Sequence, residues 1–179
     1  MRLLLHILFI SSMLMAINST CYAQDELTDF VKRQNAKLDL SEKDAIEAPN
    51  TNVSIIPPEN FELNPATNGF IHEGSATTIQ IMEINNVSVK NVTTSLNTEY
   101  FKNQEFNLES KQDIQLNNGN FATIYLTKYT VNEEDFYRLF FFTGDKKTIW
   151  INVNFPAIVK DLLYKPIIAS LKTVKQQSL

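Results

Sequence analysis

The sequence predicts an α+β fold, a mainly antiparallel sheet with helices on both faces. Three observations carry this. From Asn107 to Phe155 the chain alternates in strand fashion through short turn signals, which is the pattern of a four-strand antiparallel meander. Several of these strands are apolar or aromatic on both faces, most clearly Leu139 to Phe142, and a sheet wet on one side would show cleaner polar alternation. The hydrophobic period then changes to that of a helix in two places, after the first long strand and after the last, so two helices are available to cover the sheet.

The chain opens with MRLLLHILFISSMLMAINSTCYAQ, which has the layout of an export signal. Arg2 is the positive start. Leu3 to Ile17 is an apolar run interrupted only by His6, Ser11 and Ser12. Cys21-Tyr22-Ala23 places small residues where signal peptidase needs them, so cleavage is expected between Ala23 and Gln24. The run is shorter than the ~20 apolar residues of a spanning helix, so no stable membrane span is expected after cleavage. Lipidation at Cys21 is the rival reading, but Asn18-Ser19-Thr20 is a poor lipobox. The expectation is a bacterial protein exported to the periplasm or medium, divided into a signal peptide (1–23), a polar leader (24–50) and one domain (51–179).

Cleavage would leave 156 of the 179 residues and remove the single cysteine. With Arg2 gone, Lys and Arg fall from 16 to 15 against 20 acids, a formal charge of −5. An exported domain without disulfides must rest on its apolar core, which a chain of this length can supply. The mild acidity argues against nucleic acid and against an anionic membrane surface as partners.

The leader, QDELTDFVKRQNAKLDLSEKDAIEAPN, is dense in alternating charges and reads as flexible or marginally helical. Val53 to Ile56 is a short strand ended by Pro57-Pro58, which cannot donate to a ladder. Glu59 to Asn68 reads as loop. A second short strand lies between Gly69 and Gly74. Ala76 to Ile84 follows as a longer one, with Ile79, Ile81 and Thr77 facing one way. Val89, Val92, Leu96 and Tyr100 then form one stripe of a single helix of about four turns. Asn117-Asn118-Gly119 marks the first hairpin of the meander, because Asn-Gly accepts positive φ. Val131 to Asp135 and Gly144 to Lys147 turn the chain again. Pro156 to Lys175 is the second helix, with Pro156 in its first turn and Pro166 expected to kink or divide it.

Some of these segments resemble a known group. VSIIPPENFELN (Val53 to Asn64) resembles the opening of the PsbP/Mog1-like superfamily, which includes small exported bacterial proteins of the DcrB kind. FIHE (Phe70 to Glu73) and TTIQIMEI look like its next strands. KKTIWINVNFPAIVKDLLYKPIIASLKTV (Lys146 to Val174) resembles its last strand and terminal helix. The resemblance implies an αβα sandwich. It also implies a binding or assembly role: known members include an extrinsic subunit of a photosynthetic complex and a nuclear partner of a small GTPase. Neither role carries over to particular residues here.

No residue stands out as catalytic, cofactor-binding or metal-ligating. His72 and Glu73 are neighbours on a strand and point to opposite faces. Glu133-Glu134-Asp135 lacks the spacing of a calcium loop. There is no Gly-x-Ser-x-Gly and no glycine-rich phosphate loop among only four glycines. Phe121, Tyr125, Tyr129, Tyr137 and Trp150 are either core beneath the helices or an uncovered aromatic face for a partner. The leading functional expectation is a non-catalytic protein-binding or assembly module of the bacterial envelope, its partner another envelope protein. The alternative is a carrier of a small apolar ligand held between sheet and helix.

Overall fold

A computed structural model describes residues 42–145 and 147–177. The expected signal peptide and most of the expected leader, residues 24–41, lie outside this range. Every strand pairing is antiparallel, and the class is α+β as the sequence predicts. The main sheet has seven strands in the order β3-β4-β5-β9-β8-β7-β6. They are β3 (Glu62–Asn64), β4 (Gly69–His72), β5 (Thr77–Ile84), β6 (Asn107–Gln115), β7 (Phe121–Val131), β8 (Glu134–Thr143) and β9 (Thr148–Pro156). A small sheet joins β1 (Ile46–Glu47), β2 (Val53–Ile55) and β10 (Lys175–Gln176), with β2 in the middle.

Alternation along the strands divides the core into two. Ile79, Ile81, Ile124, Leu139, Phe141, Ile151, Val153 and Phe155 are buried on one face. They pack against Leu163, Ile167 and Leu171 of helix α3 (Lys160–Leu171) and against Val53 and Ile55 of β2. On the other face, Tyr125, Phe140 and Phe142 pack against Leu96, Phe101 and Phe106. Those residues come from the segment of α1 (Val89–Thr93) and α2 (Thr98–Asn103) and the loop that follows it. The doubly apolar β8 follows directly, since even-numbered residues face one core and odd-numbered residues the other.

Four sequence expectations change. The first helix is two short ones. Thr93, Thr94 and Ser95 turn their hydroxyls back onto the carbonyls of Val89, Lys90 and Val92, a local bonding that competes with helix propagation. Asn97 is then extended and restarts the helix, its side chain accepting from the Tyr100 N–H at 2.8 Å. Second, Pro156 closes β9 rather than opening a helix. A 3-10 turn (Ala157–Val159) intervenes, and α3 runs unbroken through Pro166. Proline there removes only one helical bond, and the buried Leu163, Ile167 and Leu171 on either side anchor the helix. Third, the expected loop Glu59 to Asn68 contains the edge strand β3. Fourth, residues 46–48, assigned to the leader, belong to the fold: β1 pairs with β2, and Ala48 is buried.

The hairpins are fixed locally. Asn132 and Glu133 both take left-handed backbone (φ 50° and 68°) between β7 and β8, as a two-residue primed turn requires. Gly119 supplies φ 86° between β6 and β7. That hairpin is tied to the end of α3 by Asn117 N–H to the Lys172 carbonyl at 2.9 Å and Asn118 Nδ2 to the Val174 carbonyl at 3.4 Å. The end of α3 also completes β2. Ile56 N–H donates to Thr173 Oγ1 at 2.8 Å, and Ser170 Oγ donates to the Ile56 carbonyl at 2.5 Å. Both backbone groups of the residue before Pro57-Pro58 are thereby satisfied inside the core.

Candidate functional site

The five aromatics singled out from the sequence do not form one face. Tyr125 is fully buried and its hydroxyl donates to the Thr93 carbonyl at 3.2 Å. Trp150 and Tyr129 are half-buried and pack on the same aromatic cluster. Tyr137 belongs to the opposite core, stacked on Phe155 with ring centroids 5.7 Å apart. Phe121 is 69% exposed at the start of β7. A common surface is excluded by register: Tyr137 pairs with Lys128, on the other side of the sheet from Tyr125 and Tyr129.

The histidine has a partner that sequence reading missed. The turn Glu73–Ser75 brings Ser75 Oγ to 2.7 Å from His72 Nδ1, and Ser75 Oγ lies 2.8 Å from Thr77 Oγ1. The His72 ring also lies 5.4 Å from Phe61. Burial lowers the histidine pKa. A serine nucleophile needs an accessible hydroxyl, whereas Ser75 is 6% exposed and spans His72 and Thr77. The chain of three side chains locks the turn that enters β5. Glu73 is exposed on that turn. Of the Glu133-Glu134-Asp135 run, Asp135 is engaged by Lys128 at 2.6 Å and Thr130 at 2.7 Å. Among the described residues no three His, Cys, Asp or Glu side chains converge.

The most distinctive polar constellation lies on the face that carries α1 and α2, beside the helices. Register places Thr78, Asn154 and Arg138 on one rung, from β5, β9 and β8, and Gln80, Asn152 and Phe140 on the next. Met82, Trp150 and Phe142 form the third. The helices seal Phe140 and Phe142, while Thr78, Gln80, Met82, Asn154, Trp150 and Arg138 stay half-buried.

Arg138 is the centre of this strip. Its Nε donates to Asn154 Oδ1 at 2.5 Å, and Tyr129 donates to the same oxygen at 3.4 Å. Asn154 Nδ2 reaches Thr78 Oγ1 at 3.5 Å. The guanidinium lies 5.1 Å from the Phe106 ring, 5.3 Å from Tyr129 and 6.0 Å from Phe140. No carboxylate forms an ion pair with it among the described residues. Burial lowers its pKa, and burial likewise raises that of Tyr129, against the pull of the arginine charge. Cation–π contacts of about 0.5–2 kcal/mol offset part of the desolvation but leave a cation without a counter-ion. One rung away, Asn152 is 9% exposed and its buried side-chain oxygen has no hydrogen-bond partner among the described residues. Arg138 is thus a half-buried cation held by Asn154, Tyr129 and aromatic rings and by no carboxylate among the described residues, and the unpartnered Asn152 oxygen one rung away is an interior atom.

Comparison with known proteins is limited to the fold. No family profile matches the chain, and no curated protein matches it. A crystal structure of LpqN from Mycobacterium tuberculosis, described as involved in cell envelope biogenesis, is similar with a TM-score of 0.54 at 11% sequence identity. The likeness covers 69% of this chain and 82% of LpqN. At that identity it supports a shared architecture and transfers no residue role. Among the described residues no helix is long and apolar enough to cross a membrane.

Proposed function

We propose that this is a non-catalytic, exported protein-binding or assembly module of the bacterial envelope, built on a PsbP/Mog1-like domain. The observation that carries the reading is the half-buried polar strip around Arg138, whose cation meets no carboxylate among the described residues. Binding surfaces keep such capacity for the other molecule, and stable interiors do not. The export signal read in the first residues and the fold shared with an envelope-biogenesis protein support the location. The carrier reading has less support. The residues between sheet and helices, such as Ile124, Leu139, Leu163 and Ile167 on one side and Phe101 and Tyr125 on the other, are fully buried against one another.

Gentle purification from the host envelope followed by native mass spectrometry tests this. A protein of defined mass travelling with the chain is the expected result. Recovery from the cytoplasm, or a small molecule released on denaturation, would contradict it.

A further inference from the structure

We propose that Asn118, at the tip of the hairpin between β6 and β7, is a site of spontaneous deamidation, and that the reaction releases this hairpin from the end of α3. The chain has two Asn-Gly pairs, Asn68-Gly69 and Asn118-Gly119. A glycine after asparagine offers its amide nitrogen to the side-chain amide with least obstruction, because it has no Cβ. In sequence the two pairs are equivalent; their surroundings are not. Asn117 to Asn120 are all exposed, and a Cβ on Gly119 would meet nothing within 4 Å. The Gly119 N–H donates to the Leu116 carbonyl at 3.0 Å, and a hairpin tip opens locally at little cost. Gly69 is buried in β4, with Asn64 opposite it on one side and Gln80 on the other. A Cβ there would stand 1.9 Å from the Ile79 carbonyl oxygen, so neighbouring backbone already fills the space. The Asn68 carbonyl accepts from the Ile81 N–H at 3.1 Å, which holds the peptide plane that ring closure must turn. Both side-chain carbonyls are polarised, Asn68 Oδ1 by Asn50 Nδ2 at 2.8 Å and Asn118 Oδ1 by the Asn120 N–H at 3.0 Å. The difference therefore lies in the attacking nitrogen.

In the reaction, base takes the Gly119 amide proton and the nitrogen bonds to Asn118 Cγ. Negative charge builds on Oδ1, where the Asn120 N–H already donates. The Cγ–Nδ2 bond then breaks, ammonia leaves with the proton that the base took, and a succinimide ring remains. Water opens either carbonyl of that ring. One product is aspartate; the other is isoaspartate, whose main chain runs through Cβ and Cγ. In sum one water is consumed and one ammonia released. The atom lost is Nδ2, the donor to the Val174 carbonyl at 3.4 Å. The product sets a carboxylate against that carbonyl instead. The extra methylene of isoaspartate also lengthens the turn, which pulls on the bond from the Asn117 N–H to the Lys172 carbonyl at 2.9 Å.

Peptide mapping by mass spectrometry tests the proposal on the full chain, held at pH 8.5 and 37 °C both folded and in guanidinium chloride. In denaturant Asn68 and Asn118 should convert at comparable rates. In the folded chain Asn118 should convert at least tenfold faster than Asn68. The reacted chain carries one more negative charge and is separated by anion exchange. Its Asn117 amide should exchange hydrogen at least tenfold faster than in the unreacted chain. Asn118→Asp, which has no ammonia to release, should show that faster exchange without incubation. Equal folded rates at the two sites, or faster conversion of Asn68, would overturn the proposal. So would a folded Asn118 that stays intact over a period that converts it in denaturant, or an unchanged Asn117 exchange rate in the reacted chain.

Discussion

Single side chains decide how this fold starts and stops its elements, and their effects are separable. Asn97 caps α2. Asn97→Ala should lower stability by about 1 kcal/mol, the usual cost of an N-cap, visible as a shift in denaturant midpoint with unchanged slope. His72 carries a pH dependence. Burial lowers its folded pKa below the ordinary 6.5, so protonation favours the unfolded chain. Its contribution is fully present above pH 6.5 and is lost as pH falls through the depressed folded value. Denaturation at pH 7.5, 6.5 and 5.5 should therefore show falling stability, and His72→Gln should flatten that slope. An identical slope in the variant would contradict the assignment.

Elements show which parts of the structure are legible in sequence and which are not. The meander was legible because strand period and turn chemistry agree: Asn118-Gly119 and the polar run after Val131 sit where the hairpins form. The helix from Val89 was half legible. Its apolar stripe does reach the second core, but hydroxyl back-bonding and the Asn97 cap divide it. The strip around Arg138 was not legible. Thr78, Asn154 and Arg138 lie far apart in the chain, and only cross-strand register makes them neighbours. The signal available was one arginine inside FYRLFFF, next to the doubly apolar run Leu139 to Phe142. At this scale Phe101→Ala, which empties the space between α2 and the sheet, should cost about 3–5 kcal/mol. Gly69→Ala should be at least as damaging, because its Cβ would stand 1.9 Å from the Ile79 carbonyl oxygen across the β4–β5 ladder. Thermal melts of both variants against the native protein measure this.

The whole molecule is a seven-stranded sheet between two unequal covers. Among the described residues α3 and the small sheet cover one face, while the short α1 and α2 cover part of the other. Thr78, Gln80, Arg138 and Asn154 stay half-buried beside those helices, and the proposed binding role rests on them. The central claim is tested most directly in living cells of the host. A photoreactive side chain is placed at Gln80, inside the strip, and in a second strain at Lys111, on the exposed edge strand β6. The account predicts a discrete protein adduct from position 80, none from position 111, and loss of the adduct when Arg138→Gln is added. Equal labelling from both positions, or an adduct from 111 alone, would contradict it.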